Sequence, residues 1–128
     1  MEFLKTNITG SPFVGIFCAV SEKFAIIPTL VNKKEEQKIE EILQVKVIKT
    51  TLANSSLLGA LSVMFEDKIA VPSIVEESEK RELQKQGLEV KEIKGQAALG
   101  NLVTLNKNAG IASTLLSAKS IHDISEFF

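Results

Sequence analysis

The sequence has a single cysteine, no tyrosine and no tryptophan, and its aromatic content is only 5%. Because Cys18 has no second cysteine to pair with, no internal disulfide forms, which favours a reducing, cytoplasmic compartment. The few rings are phenylalanines, and Phe13, Phe17 and Phe24 lie in apolar runs that predict core positions. The aromatic side chains therefore do not support stacking on single-stranded nucleic acid.

The sequence also lacks an excess of one charge and a long hydrophobic run. Fifteen Lys plus Arg against sixteen Asp plus Glu give a formal charge of −1, so no strong field directs the chain to a polyanion or an anionic membrane. The uncharged stretch over residues 7–21 contains Gly10, Pro12 and Gly15 and is too short and broken to cross a bilayer. With 45% apolar residues, the chain predicts one compact domain, residues 1–128.

Residues suited to catalysis or metal binding are scarce. With one His and one Cys, His122 and Cys18, clusters of these ligand types are not available, and neither a metal nor a cofactor is expected. Cys18 alternates with apolar neighbours, and this pattern predicts that its side chain is buried. His122 falls on the polar side of a predicted helix. The Gly-x-Gly-x-x-Gly and Walker patterns are both absent. The residues do not indicate an enzyme.

An internal repeat is present. Residues 5–15 align without gaps on residues 49–59, and a third copy ends in the same way. Three marker glycines at nearly even spacing define the copies: Gly15, Gly59 and Gly100. An apolar run ends at the same distance after each glycine, at Pro28, Pro72 and Ser113. Three coincident offsets indicate three copies of one structural unit.

Each copy predicts the same series of elements. Two short strands are predicted on either side of a polar turn. Their ranges are 15–20 and 24–27 in the first copy, 60–64 and 69–71 in the second, and 101–105 and 110–112 in the third. A charged helix follows in each copy. It covers about residues 33–43 in the first copy and about 76–86 in the second, and in the third it begins after Ser117 as the capping residue. A β-branched strand comes next, at 45–50 and 88–93, with residues 2–6 as its counterpart. The predicted units of strand, strand, strand and helix span about 1–44, 45–87 and 88–128.

Several of these segments together resemble the translation initiation factor six family in its archaeal form. The resemblance rests on Ser55-Ser56-Leu57-Leu58-Gly59 after Thr50 and Asn54, on Val71-Pro72, and on Ala97-Ala98-Leu99-Gly100-Asn101. It implies an α/β pentein fold, a propeller-like ring of five blades, of which three are present here and leave the ring incomplete. It also implies a factor that binds the large ribosomal subunit, sterically prevents premature joining of the small subunit and takes part in large-subunit biogenesis, without chemistry of its own.

The repeat markers and the loops suggest roles for individual residues. The marker glycines predict a close backbone approach or a bulge where a strand enters its hairpin, because glycine offers only backbone freedom. Asn54, Ser55 and Asn101 lie in loops that enter the second and third copies. We expect their side chains to bind backbone groups of the turns, and they are also the candidate contacts with a partner. Four lysines on strands predict a solvated face, with ribosomal contact as the alternative: Lys46, Lys49, Lys91 and Lys94.

Two other functions remain open. Related pentein enzymes modify guanidino groups with a cysteine and a histidine, which would make Cys18 and His122 candidates. A truncated scaffold that no longer binds the ribosome is the second alternative, because part of the family's contact surface would lie in the absent blades. An incomplete ring leaves strand edges unpaired, so we expect the isolated chain to self-associate. No membrane partner is expected.

Overall fold

Three small β-sheets and six helices form a mixed α/β fold in a computed structural model that describes residues 1–128. The helices are α1 (Val14–Phe17), α2 (Lys33–Leu43), α3 (Leu58–Leu61), α4 (Glu77–Lys85), α5 (Leu99–Leu102) and α6 (Ala118–Phe127). The strands are β1 (Ala19–Val20), β2 (Phe24–Pro28), β3 (Lys46–Thr50), β4 (Val63–Phe65), β5 (Lys68–Pro72), β6 (Glu89–Ile93), β7 (Val103–Leu105) and β8 (Gly110–Ala112). No helix is both long enough and apolar enough to cross a membrane.

The first two sheets share one arrangement. β2 pairs antiparallel with β1 and parallel with β3, so that Phe24 lies opposite Lys46. β5 pairs in the same way with β4 and β6, and Lys68 lies opposite Glu89. The third sheet contains only the antiparallel pair of β7 and β8. The parallel pairs arise because each long helix returns the chain to the start of the sheet that precedes it.

The buried apolar side chains form three clusters, each beneath one long helix. Ile39 of α2, Leu83 of α4 and Ile124 of α6 each belong to a different cluster. β3 contributes Ile48 to the α4 cluster, and β6 contributes Ile93 to the α6 cluster. Each parallel strand therefore closes one sheet while it covers the core of the next.

The three long helices form where the sequence predicts them, because their ends carry the expected capping residues. The Asn32 side chain accepts a hydrogen bond from the backbone N–H of Glu35 at 2.9 Å, and α2 covers the predicted residues 33–43. The Ser117 hydroxyl accepts from the backbone N–H of Ser120 at 3.1 Å and caps α6. Gly87, at a φ of +109°, lies just beyond the end of α4.

The segments around the marker glycines differ from the prediction. Residues 15–20, 60–64 and 101–105 are not strands throughout, since four-residue helices occupy their first halves. The strands begin only at Ala19, Val63 and Val103. A short apolar run fits a strand or a buried helical turn equally well, so its pattern could not separate the two.

Residues 2–6 do not form the predicted strand. Their counterparts β3 and β6 are strands because they pair with β2 and β5, and no strand lies beside residues 2–6. The prediction that Phe13 lies in the core is also wrong, because this residue immediately precedes α1 and is 64% exposed. Phe24, by contrast, is buried as predicted.

Candidate partner-binding surface

One edge of each sheet gathers the turns that carry the candidate residues. Because β2 and β3 are parallel, their carboxyl ends meet, and Pro28 lies opposite Thr50. β5 and β6 end together in the same way, with Pro72 opposite Ile93. The turns after β2, β5 and β8 and the loops after β3 and β6 therefore emerge on the same side of their sheets. We call this side the carboxyl edge.

The three turns at the carboxyl edge have the same hydrogen bond. In each turn, a backbone N–H donates at 3.1 Å to the carbonyl three residues earlier: Val31 to Pro28, Val75 to Pro72, and Leu116 to Ser113. The donor residues are buried, but the aliphatic residue just before each donor points to solvent. Leu30, Ile74 and Leu115 are 79%, 57% and 65% exposed, and we call them the aliphatic row.

The exposed residues of the aliphatic row occupy equivalent positions in the three turns. A single exposed leucine needs no explanation, because much of any protein surface is apolar. Here the exposure recurs at the same position of all three turns, and a hydroxyl residue precedes each member: Thr29, Ser73 and Thr114. Apolar centres beside polar groups are typical of protein interfaces.

Asn54 and Ser55 belong to a tight turn at the carboxyl edge. The backbone N–H of Ser55 donates to the Leu52 carbonyl at 2.9 Å, and that of Leu52 donates back to the Ser55 carbonyl at 3.1 Å. The two central residues, Ala53 and Asn54, have φ values of +53° and +56°. Gly10, the counterpart of Asn54 in the first copy, has a φ of +82° in the matching turn. Asn54 therefore occupies a left-handed position, which asparagine tolerates better than most residues.

Glu79 holds this turn in place. Its carboxylate accepts from the Thr51 hydroxyl at 2.7 Å and from the backbone N–H groups of Ala53 at 2.8 Å, Asn54 at 2.9 Å and Glu76 at 3.0 Å. Partial burial raises the pKa of Glu79, but these hydrogen bonds outweigh it and hold the pKa below its ordinary value. The loop is thereby fixed to the first turn of α4.

A second side-chain hydrogen bond joins Asn54 to the residue that precedes α4. The Asn54 side-chain amide donates to the Glu76 carboxylate at 2.7 Å, and Glu76 is two residues after Ile74. Sequence reasoning missed Glu79, although a signal was present: Glu35 and Ser120 stand at the matching third position of α2 and α6. Glu35 accepts from the Thr6 hydroxyl, and the Ser120 hydroxyl donates to the Lys94 carbonyl at 2.9 Å.

Asn101 lies apart from the other two candidate contacts. It is an exposed residue of α5, and its backbone N–H donates to the Ala98 carbonyl at 3.0 Å. No hydrogen bond joins it to Asn54 or Ser55. The structure therefore brings Asn54 and Ser55 together at one turn and leaves Asn101 on a short helix.

The marker glycines lie where the short helices stack. α1 packs on α3, and α3 packs on α5. A Cβ atom at Gly59 would lie 2.0 Å from the Gly15 carbonyl oxygen, and one at Gly100 would lie 1.8 Å from the Gly59 carbonyl oxygen. Both distances are far inside van der Waals contact with backbone, so these positions fit only glycine. Gly15 begins the stack, with nothing within 4 Å of its Cβ position.

Comparison with known sequences decides the family. A profile described as the eIF-6 family matches residues 3–128. This chain belongs to the eIF-6 family. The resemblance to translation initiation factor six that the repeat segments carry is thereby confirmed.

Several archaeal members of the eIF-6 family are similar along most of this chain. It is 33% identical over 123 residues to translation initiation factor 6 of Methanothermobacter thermautotrophicus, covering 95% of this chain and 55% of that protein. It is 32% identical over 126 residues to that of Archaeoglobus fulgidus, covering 97% and 57%. The chain spans about half the length of the curated relatives it matches.

Cys18 and His122 lie in different parts of this eIF-6 family chain. Cys18 caps the end of α1, half-buried against the cluster beneath α2, and burial raises the pKa of its thiol to about 11. His122 is exposed on α6. A nucleophilic thiol needs a lowered pKa and a nearby base, and Cys18 has the opposite shift. No group of three acidic, histidine or cysteine side chains is placed to hold a metal ion.

The four strand lysines do not form one basic patch. Lys46 donates from Nζ to the Gln86 carbonyl at 2.7 Å, and Lys49 lies 3.5 Å from the Glu36 carboxylate. Lys91 and Lys94 are exposed on and after β6. Lys46 and Lys49 are thus engaged within the chain, and Lys94, in the loop after β6, is an exposed cation at the carboxyl edge. The aliphatic row remains the most distinctive feature of this edge.

Proposed function

We propose that this chain is a translation factor that binds the large ribosomal subunit in the cytoplasm. It sterically prevents the small subunit from joining prematurely and takes part in large-subunit biogenesis, without a cofactor. The observation that carries the proposal is the match of residues 3–128 to the eIF-6 family, whose archaeal relatives are named translation initiation factor 6. Steric exclusion requires a stably bound body and no reacting group, which agrees with the raised pKa of Cys18.

The proposal includes a pentein-type arrangement in which residues 1–128 form one domain of three blades. The two three-stranded sheets with equivalent register support it, as does the row of short helices stacked through Gly59 and Gly100. The equal distances from each marker glycine to the turn at the carboxyl edge also support it. Units of this kind depend on their neighbours for stability.

We assign the ribosomal contact to the carboxyl edge, with the aliphatic row as its centre and Asn54 and Ser55 beside it. The formal charge of −1 gives little general attraction to RNA, so an apolar row favours a ribosomal protein as the direct partner. Glu79 and the left-handed turn hold the polar groups in place before binding. A preformed surface lowers the entropic cost of association.

Co-sedimentation with purified archaeal large ribosomal subunits tests the function. We expect the folded chain to sediment with large subunits and, once bound, to reduce the yield of joined ribosomes when small subunits are added. A folded chain that remains in the supernatant would overturn the proposal and favour a scaffold that does not bind the ribosome. Circular dichroism on the same sample establishes that the chain is folded.

A set of substitutions tests the surface. Replacing the aliphatic row with serine (Leu30→Ser, Ile74→Ser and Leu115→Ser) removes exposed apolar groups, and we expect binding to weaken at least about 10-fold. Leu43→Ser is the matched control, because Leu43 is a partly exposed aliphatic at the far end of α2. Equal binding by the triple variant and the wild type would show that the contact lies elsewhere on the chain.

A further inference from the structure

A salt bridge joins the long helix to the parallel strand in each of the first two copies, but its charges are exchanged between them. In the first copy, the Glu36 carboxylate of α2 lies 3.5 Å from Nζ of Lys49 in β3. In the second copy, Nζ of Lys80 in α4 lies 2.7 Å from the Glu92 carboxylate in β6. The positions are equivalent, because each helix residue follows its sheet by the same number of residues and each strand residue has the same register.

The first residues of β3 and β6 also carry opposite charges. β3 begins with Lys46, which lies opposite the uncharged Phe24 of β2. β6 begins with Glu89, which lies opposite Lys68 of β5. Side chains at paired positions of neighbouring strands interact, so that opposite charges stabilise the pairing and like charges destabilise it. β3 therefore has lysine at both positions where β6 has the glutamates that suit β5 and α4.

In other respects β3 is a competitor of β6 for the place beside β5. Ile48 of β3 and Val90 of β6 both contact the apolar cluster beneath α4. The connection from β2 to β3, residues 29–45, and the connection from β3 to β5, residues 51–67, are equally long. Both are long enough for a parallel pairing. Neither the apolar pattern nor the connection length thus decides whether β3 pairs with β2 or with β5.

The charges do distinguish the two pairings. If β3 occupied the place of β6, the matching register would bring Lys49 to Lys80 and set Lys46 opposite Lys68. Two like-charge contacts would then replace two contacts between opposite charges. The Lys80 side chain is only 12% exposed, so solvent screens the repulsion at this position less than at an open surface.

We infer that the lysines of β3 and the glutamates of β6 select the strand that pairs with β5, by excluding β3 from that place during folding. The salt bridge between Glu36 and Lys49 contributes little to stability, because both side chains are about 30% exposed. The exchange of charges between the copies has its effect on the wrong pairing, which it destabilises. The inference concerns folding and does not depend on the proposed function.

Two single substitutions that break the same native salt bridge test this inference. Lys49→Gln also removes the charge that repels Lys80, whereas Glu36→Gln keeps that charge. Refolding from urea, followed by stopped-flow circular dichroism, measures the fraction of molecules that first leave a mispaired state and fold slowly. We expect Lys49→Gln to raise this slow fraction about 3-fold and Glu36→Gln to leave it unchanged. Proline isomerisation contributes equally, because all variants keep the three prolines.

An exchange variant makes the test stronger. Lys49→Glu combined with Glu36→Lys restores the native salt bridge with exchanged charges, and it gives β3 a glutamate that attracts Lys80. Its urea midpoint should equal that of the wild type, while its slow fraction should exceed that of Lys49→Gln. Adding Lys80→Glu and Glu92→Lys should return the slow fraction to the wild-type value, because the two strands then differ in charge again.

Three results would each overturn the inference. The first is an equal slow fraction in Lys49→Gln and Glu36→Gln, which would assign the effect to the lost native contact. The second is an exchange variant that refolds like the wild type. The third is a variant with all four substitutions that still folds as slowly as the exchange variant. None of these measurements involves ribosomes, so failure of the inference and failure of the proposed function are distinguishable.

Discussion

Glu79 accepts a hydrogen bond from the backbone N–H of Asn54 at 2.9 Å, across 25 positions of the sequence. The same carboxylate also accepts from Thr51, Ala53 and Glu76. A single side chain thus satisfies donors from a loop and from the start of a helix. This makes the contact between the loop after β3 and the start of α4 dependent on one ionised group.

Replacing that group should destabilise the protein. Glu79→Gln removes the charge and turns one accepting oxygen into a donor, so at least one N–H loses its partner. We expect the free energy of unfolding in urea to fall by about 2 kcal/mol at neutral pH. Glu82→Gln, on the exposed side of the same helix, should change it by less than about 0.5 kcal/mol. Equal effects of the two substitutions would show that the hydrogen bonds accepted by Glu79 do not stabilise the protein.

The acid dependence of stability should also report on Glu79. Its folded-state pKa is lower than the ordinary value of 4.5, so its stabilising contribution is complete well above that value and is lost as the pH falls through the folded-state pKa. Between about pH 6 and about pH 3, the unfolding free energy of Glu79→Gln should decline less than that of the wild type. Parallel curves would contradict the lowered pKa.

Alanine at the marker glycines should have effects that depend on the position. Gly59→Ala and Gly100→Ala place a methyl group about 2 Å from a backbone oxygen, and we expect each to cost about 3 kcal/mol or to prevent folding. Gly15→Ala meets nothing within 4 Å and should be neutral or stabilising by up to about 1 kcal/mol, because alanine favours the helix. Thermal unfolding of the three variants measures the difference. A destabilised Gly15→Ala beside a stable Gly100→Ala would refute the stacked arrangement.

Asn54 should prefer glycine to alanine as a replacement. Its φ of +56° costs an alanine about 1 kcal/mol, whereas glycine adopts this conformation without strain. We therefore expect Asn54→Ala to lower stability by about 1 kcal/mol and Asn54→Gly to leave it nearly unchanged. If the two variants are equally destabilised, the side-chain hydrogen bond to Glu76 is the important contact, and the backbone conformation is not.

The Cys18 thiol should react slowly in the folded protein. A pKa raised from 9.0 to about 11 lowers the thiolate fraction near pH 8 by about 100-fold, while the greater nucleophilicity of the more basic thiolate recovers about 10-fold. The reaction with a disulfide reagent should therefore be about 10-fold slower than in urea, even before access is considered. Faster reaction in the folded state would indicate an activated thiol and revive the enzymatic alternative.

The elements that the sequence predicts well are those whose signals are local. Asn32 and Ser117 cap helices through bonds to residues three positions away, and the buried Ile39 of α2 faces a single cluster. Alternating β-branched residues likewise mark β3 and β6. The recurrence of the glycines is a longer-range signal, and Gly59 and Gly100 lie where one short helix packs closely on another.

Features that depend on distant partners could not be predicted. The four-residue helices around Gly59 and Gly100 pack against the backbone of the preceding short helix, a contact that an apolar run does not encode. Residues 2–6 have strand propensity but no strand beside them, so tertiary context overrides the pattern. Glu79 resembles any surface glutamate in the sequence, because its loop partners lie 25 to 28 positions away.

The constant distance from each marker glycine to the turn before a long helix has a consequence for insertions. The glycine end of this stretch is fixed by the stacked short helices, and the other end is fixed at the carboxyl edge. The spacing of the marker glycines varies, because Gly59 and Gly100 are slightly closer in the sequence than Gly15 and Gly59 are. Length variation is therefore absorbed after the turn, in the long helices and the loops that lead to the next glycine. An added residue in those parts shifts a connection, but one added between Gly59 and Pro72 would move a side chain from one face of β5 to the other.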